Sequence, residues 1–456
     1  MEAGQQYNPK TNKTNLIKFH EMEKEYNLFS LRSKDGFPIW DIIRYNAYFQ
    51  LIEKQNVEKN KVTNSKKNIK FFLKVIASFI KLLFPFKENL FFLTSRNNDN
   101  NSKMFDQNAD TAIHLFEKSK CIIIESFFPN KTYKYSNYKT IHISAILFLT
   151  KFFKVGEIEL GAFNQIKHSL ENTFCDKTIS IDFLINVFTK FQKTYSLYNI
   201  IFKLNKGRIK RLFIVQNGIQ KALFYAAKKN GIRIFEFQHG IIDSTHMNYS
   251  YNPNIGYNDS NVIVPNVLFT FSDFWESTFF NPTKCIPCGN DSIYKKIASK
   301  GEDALTVIST VVHDNELRKL SLEIANKMPN LQIYYKLHPN NYYQYNEILF
   351  FFQSHKNVKI ITNEFSVQQL ISKSKSILAI VSTSVYEALH NDVKAIILKK
   401  INYTAHKDIF NYPNVYLIDN VEEFHQAFNS QNVANSNVKD VFFMPFNKEL
   451  FIQAIQ

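Results

Sequence analysis

Two histidines sit where buried apolar runs end. IRIFEF (232–237) stops at Gln238-His239-Gly240, with Asp243 three residues further on, and LQIYYKL (331–337) stops at His338-Pro339, with Lys336 two residues before the imidazole. An imidazole or a carboxylate in such a place can take a proton from a bound hydroxyl. A glycine lets the backbone approach a ligand, and a proline fixes the exit of its strand. A lone histidine is more often a satisfied structural residue; two at equivalent strand ends shift the balance towards a site. A third run, ILAIVS, leads through Ser382-Thr383-Ser384 into a helix expected to begin around Val385. Hydroxyls and free N–H groups at a helix start form a cradle for phosphate. Ser384 and Glu387 also match a capping box, so the same residues have a structural use. ALTVIST adds Ser309 and Thr310 at another strand end, as secondary phosphate contacts.

These residues gain meaning from the elements that carry them. NLFFLTS, KCIIIES, TIHIS, RLFIVQ, IRIFEF and VLFTF have the length and apolar density of buried strands, and NGIQKALFYAAKKNG between two of them fits a helix bracketed by glycines. Strand, helix and strand within about 30 residues make a parallel βαβ unit. ALTVIST, LQIYYKL, VKII, ILAIVS, KAIILKK and VYLID form a second series alternating with helical segments such as NELRKLSLEIANKM. The fold class is therefore α/β, with two open parallel sheets. The expected provinces are a helical basic N-terminal region (1–87), a first Rossmann-like domain (88–283), a second (284–430) and a tail (431–456), with a linker near 281–304. Ligands of such sheets bind outside the carboxyl ends of the strands, so the two histidines and the Ser-Thr-Ser segment belong to facing rims of one cleft.

A chain of 456 residues with 45% hydrophobic content can build two cores. Its net charge of +16 favours anionic partners. No Arg-rich arm, RNP-like motif or zinc-finger spacing is present, so nucleic acid is not an expected partner. Four cysteines are too few for a disulfide scaffold, and Cys285-Ile-Pro-Cys288 has no second ligand pair to complete a zinc site. The first fifteen residues lack the apolar core of a signal peptide, and no run is long enough to span a bilayer, which leaves a cytoplasmic or peripheral chain as the expectation. KKNIKFFLKVIASFIKLLFPFK (66–87) is a basic amphipathic helix, with Lys66, Lys70, Lys74 and Lys81 on one arc. It could lie on an anionic membrane surface, or pack on a neighbour with its lysines in water. A DxD pair, a GxxxxGK[ST] loop, a GxSxG elbow and a GxGxxG fingerprint are all missing, which disfavours metal-dependent nucleotidyl chemistry, P-loop engines, serine hydrolases and dinucleotide dehydrogenases.

With QHG at 238–240, KLHP at 336–339 and STSVYEAL at 382–389 in this order, the chain resembles bacterial surface-polysaccharide glycosyltransferases of the GT-B type. The similarity runs from about residue 89 to 425, towards the capsule and lipopolysaccharide group of Kdo transferases, polysialyltransferases and, more distantly, CDP-glycerol phosphotransferases. It implies that His338, Pro339 and Ser382 to Ser384 hold the nucleotide phosphate and that Glu387 binds the ribose or caps its helix; the strand-end reading adds Lys336 and Thr310 to the donor side. It also implies a metal-independent reaction without a cofactor, the nucleotide-sugar being a substrate, for instance a CMP-sugar. The acceptor would be a capsule, lipopolysaccharide or other surface glycan, free or lipid-linked. Inverting transfer needs a base on the acceptor side, and His239 and Asp243 are the candidates. QHG replaces the acidic-pair-plus-glycine motif of polysialyltransferases. The alternatives are a CDP-glycerol-type polyol-phosphate transferase and a nucleotide-binding protein of this fold that has lost the chemistry.

Overall fold

A computed structural model describes residues 9–52, 69–83, 85–94, 97–98, 103–125, 132–175, 178–215, 218, 220–295, 303–310, 314–400, 403–433 and 440–456. Seven parallel strands form the first sheet: β1 (Asn89–Phe92), β2 (Cys121–Glu125), β3 (Lys139–His142), β4 (Arg211–Ile214), β5 (Arg233–Phe237), β6 (Val267–Thr270) and β7 (Lys284–Pro287), in the order β3-β2-β1-β4-β5-β6-β7. The second sheet has six: β8 (Ala304–Ile308), β9 (Gln332–Lys336), β10 (Val358–Ile361), β11 (Ser376–Ala379), β12 (Lys394–Leu398) and β13 (Val415–Ile418), in the order β10-β9-β8-β11-β12-β13. Both are the parallel α/β sheets expected, one in each of two Rossmann-like domains. Strands such as β1, β6, β8 and β12 are buried at every position, as parallel strands covered on both faces must be.

Lys284–Pro287 lies within the expected linker, yet it pairs with β6 as the seventh strand, Leu268 opposite Cys285 and Phe269 opposite Ile286. Burial pushes the Cys285 and Cys288 thiols up to about 12, so both stay protonated at neutral pH.

The N-terminal helices α1 (Pro9–Glu25) and α2 (Ile39–Ile52) share the core of the first sheet: Phe19, Trp40 and Ile43 are fully buried in one cluster with Leu90, Leu212 and Ile234. Arg44 on α2 pairs with Glu23 on α1 at 2.5 Å, both nearly without exposure, and donates to the carbonyls of Met247 (2.7 Å) and Ser250 (2.9 Å). Lys221, at the start of the helix that follows β4, is buried against Asp41 at 2.9 Å and donates to the carbonyl of Ile263. These contacts fasten α2 to the long loop that follows β5. Helix α3 (Ile69–Leu83) lies against β3, where the Ser78 hydroxyl accepts from His142 N at 2.9 Å, and against α4 (Ile143–Leu149), with Phe79 edge-on to Phe148. Beyond them, α5 (Ile181–Leu204) packs on α6 (Lys221–Lys229), which ends at Asn230 and Gly231 (φ +70°), with Ile232 N reaching back to Ala227 O.

The opposite face of the first sheet carries a row of phenylalanines, Phe91, Phe213, Phe235 and Phe269, with successive centroids 4.6, 5.2 and 5.8 Å apart. Phe451 of the C-terminal helix α9 (Lys448–Ile455) covers this row. The chain thus crosses to the second domain after β7 and returns before α9. Its two crossings run side by side: Asn290 N donates to Met444 O (2.9 Å) and Asn447 N to Cys288 O (2.7 Å). A Cβ at Gly289 (φ +73°) would stand 2.2 Å from Pro445 O, so only glycine fits there. A shared core joins the domains at this end, with Trp275 packed on Tyr386 at 4.8 Å and its Nε1 donating to Phe442 O. In the second domain, α7 (Asp314–Lys327) and α8 (Ser384–His390) follow β8 and β11.

Candidate active site between the sheet rims

Gln238 is the first residue past β5 and is 1% exposed. Its side chain uses both halves of the amide: Nε2 donates to Gly240 O and Oε1 accepts from Phe271 N, each at 2.9 Å. Its own N–H extends the ladder to Phe269 O. The turn that carries His239 is therefore clamped to the end of β6. His239 itself is half-buried.

Across the cleft lies the Ser-Thr-Ser segment. A Cβ placed on Gly240 would lie 4.0 Å from Thr383 Oγ1, so the turn after β5 and the Ser-Thr-Ser segment after β11 are neighbours. His338 leaves the end of β9 and Ser309-Thr310 the end of β8, on the same rim as Ser382 after β11. In the order β9-β8-β11 the outer two strands stand roughly 10 Å apart at the usual strand spacing. His338, Thr310 and the hydroxyls of 382–384 thus line successive positions of one edge. His338 caps the short helix at Pro339–Gln344, its Nδ1 accepting from Asn340 N at 3.1 Å, and Pro339 takes the first helical position. Asn341 fixes the adjoining loop by donating to Thr310 O at 2.7 Å.

Several expected roles change. Ser384 does not cap α8: the helix begins at Ser384 itself, the N-cap is Thr383, and no side chain caps it. Ser382 instead receives Ser384 N (3.2 Å) and donates to Ser384 Oγ (3.0 Å), which shapes the turn. Glu387 turns to Gln368, and burial pushes its carboxyl up to about 7. Lys336 does not reach out to the rim. Its ammonium is held by the carbonyls of Thr362 and Phe365, the latter at 3.0 Å, and burial pushes it down to about 8. Asp243 is 3% exposed, and Thr245 engages it through N (3.0 Å) and Oγ1 (2.9 Å), the bonding of a turn-closing aspartate. Burial raises this carboxyl to about 6, against the lowering effects of its Thr245 hydrogen bonds and the Lys407 ammonium.

Two residues that no strand-end argument could find contact the same segments. His406 is fully buried, and burial pushes it down to about 3, so it is neutral; its Nε2 accepts from Ser382 N at 3.3 Å and fixes the segment from behind. Lys407 crosses the cleft to Ser244 Oγ at 2.9 Å. Both lie in a 3₁₀ stretch, Tyr403–Ile409, whose sequence carries no periodic signal. No group of three or more His, Cys, Asp or Glu placed to hold a metal occurs among the described residues.

No family model matches the chain, and no curated protein matches it. Among solved structures it is similar to the UDP-GlcNAc 2-epimerase of Methanocaldococcus jannaschii, at 14% identity over 81% of this chain and 99% of that one, with a TM-score of 0.47. It is also similar to MurG of Acinetobacter baumannii (12% identity, 81% and 99% covered, TM-score 0.46) and to TarM of S. aureus (11%, 81% and 97%, 0.41). What the cleft does has to come from its own residues.

Proposed function

We propose that the chain is a glycosyltransferase that moves a sugar from a nucleotide-sugar donor, such as a CMP-sugar, to a capsule, lipopolysaccharide or other surface-glycan acceptor. The observation that carries this is the approach of Gly240 to Thr383, which sets a half-buried imidazole on one rim beside a hydroxyl-rich segment on the other. In this mechanism the acceptor hydroxyl attacks the anomeric carbon and passes its proton to His239, while the nucleotide leaves from the opposite face. His338 and the hydroxyls of Ser382, Thr383 and Ser384 take up the phosphate, and Glu387 stands within the same helix for the ribose. His406 and Gln238 position these groups without touching substrate. Asp243 shapes the acceptor-side loop, so the base is His239. The charge of the leaving phosphate falls on these side chains and not on a metal.

A second part of the proposal concerns place. Lys66 and the side chains of Lys70 and Lys74 lie outside the described residues, and Lys81 is half-buried with its ammonium on Thr140 O (3.0 Å). The described outward residues of α3 are apolar, Leu73 (57% exposed), Ile76 (39%) and Ile80 (53%), and Phe148 (48%), in contact with Phe79 of α3, and Phe152 (71%) are exposed nearby. We propose that this face, rimmed by Lys139 and Lys151, rests on an anionic membrane surface where a lipid-linked acceptor would be found. No described helix is long and apolar enough to cross a membrane.

The test is a panel of CMP-, UDP- and GDP-sugars and CDP-glycerol, read as nucleotide release in the presence of surface-glycan acceptors. One sugar donor should turn over, and His239→Ala should lower kcat at least ~100-fold. Turnover of CDP-glycerol alone, or full activity in the variant, would contradict the assignment.

A further inference from the structure

A second cavity, of about 440 Å³, opens on the flank of the first domain, within the size range of small-molecule sites (roughly 300–1,000 Å³). Its walls are the turn at Asp35 and Phe37, the segment at Lys154 and Gly156, the middle of α5 (Gln192, Tyr195, Ser196) and the end of α6 (Tyr225, Lys229). Since α6 runs from the cleft rim of β4 back to the start of β5, its last turn lies about 13 Å from the rim by helix rise alone. Nothing in the transfer mechanism uses this cavity.

Gln192 is 5% exposed, and its Oε1 is sealed from water with no hydrogen-bond partner among the described residues. The other end of the amide faces the cavity wall: a Cβ on Gly156 would lie 3.9 Å from Nε2 and 3.6 Å from Asp35 Oδ2. A half-turn about χ3 exchanges the two ends, so the group can either donate to or accept from a bound molecule. Around it stand the Tyr195 phenol, which burial, Tyr225 and Asp35 all hold in its neutral donor form, the Ser196 hydroxyl and the Asp35 carboxylate. Donors and acceptors alternate here as they do around a polyhydroxylated ring. Phe37, Tyr195 and Tyr225 supply an apolar wall, their centroids 5.0 to 5.3 Å apart, against which the C–H face of a pyranose can lie. At the mouth, exposed Lys154 and Lys229, the latter over the Tyr225 ring at 5.3 Å, outnumber the one lining carboxylate, Asp35, while Glu157 and Glu159 beyond the wall are paired with Lys34. The balance suits a ligand with negative charge.

We propose that this cavity binds an acidic saccharide, a pyranose bearing a carboxylate or phosphate, with the sugar ring on the aromatic wall and the anion between Lys154 and Lys229. Its use as an anchor for a growing acidic acceptor rests on the transferase reading; the binding itself does not. The test titrates the full chain by calorimetry with oligosaccharides of glucuronate, galacturonate and sialic acid, a glycerol-phosphate-bearing glycan fragment, and maltohexaose as the neutral control. At least one acidic probe should bind at least 10-fold tighter than maltohexaose. Lys154→Glu/Lys229→Glu should weaken it at least 10-fold. Gly156→Phe, at an exposed position outside the left-handed region, should do the same by filling the cavity. Failure of every acidic probe to bind, equal binding of maltohexaose, or unchanged affinity in both variants would overturn the proposal. Nucleotide binding, measured on the same samples, reports the cleft separately. If it is absent while the acidic probe binds, the transferase reading fails and this site stands; the reverse outcome removes this site alone.

Discussion

Asp243 shows how a residue's type and its environment can point to different roles. Its sequence position beside QHG suits a base, and in the structure its carboxylate is 3% exposed and held by Thr245. Its raised pKa has a definite consequence for stability. With a folded value of about 6 and an unfolded value near 3.9, the folded state holds a proton that the unfolded state gives up between those values. The stability this provides is complete below the unfolded pKa and is lost as pH rises through the folded one. Asp243→Asn keeps an acceptor for Thr245 and removes the titration. In urea unfolding at pH 5 and pH 7.5, the wild type should lose about 1 kcal/mol more than the variant over this interval. An identical pH response in both would show that burial does not control this carboxyl. The site was partly legible because His239, His338 and Ser382 all mark strand ends, where the fold rule applies. His406 and Lys407 were not, since they reach the cleft from a non-periodic stretch through tertiary packing alone. Lys336 shares a strand side with His338, but sequence could not show that the carbonyls of Thr362 and Phe365 compete for its ammonium.

At the scale of elements, the apolar runs were sound guides. Twelve of the thirteen strands in the two parallel sheets follow runs of β-branched, aromatic and aliphatic residues whose density tertiary packing did not override. The thirteenth, Lys284–Pro287, escaped notice because a lysine, two cysteines nearby and a proline read as a linker; its place at the sheet edge is what tolerates the proline. The Ser384–Glu387 pattern failed as a capping box because the helix starts one residue earlier than such a box requires, whereas Ser366 and Gln369 form a true one. Helix α2 acts at a distance from the cleft, holding the loop behind QHG through Arg44. Arg44→Leu leaves Glu23 buried without its partner and frees the carbonyls of Met247 and Ser250, and should cost ~3–5 kcal/mol. Hydrogen exchange should rise in residues 243–252 and stay unchanged in β8 to β13. Uniform loosening of both domains would show that Arg44 supports the whole molecule rather than this loop, and a Glu23→Leu/Arg44→Leu pair should regain part of the loss.

For the whole molecule, the two domains are coupled three ways: the paired crossings at Gly289 and Pro445, the core around Trp275, and the rim contacts of Gly240 and Lys407. The first two hold one end of the domain interface together. The net charge of +16 suggested an anionic partner without saying where. The described exposed residues of α3, Leu73, Ile76 and Ile80, are apolar, as are Phe148 and Phe152 near the end of α4, and the membrane proposal rests on them. Ile80→Glu/Phe152→Glu, at exposed positions, should leave Tm unchanged and reduce co-sedimentation with phosphatidylglycerol-containing vesicles at least 10-fold. Equal sedimentation would remove the membrane from the account. The central claim, that the facing rims form one nucleotide site, is tested most directly by thermal unfolding with CMP, CDP, UDP and GDP. One nucleotide should raise the Tm of the wild type in a concentration-dependent way by binding the folded state, and Thr383→Trp, which fills the gap before Gly240, should abolish the shift. No shift with any of the four at millimolar concentration, or an undiminished shift in Thr383→Trp, would contradict it.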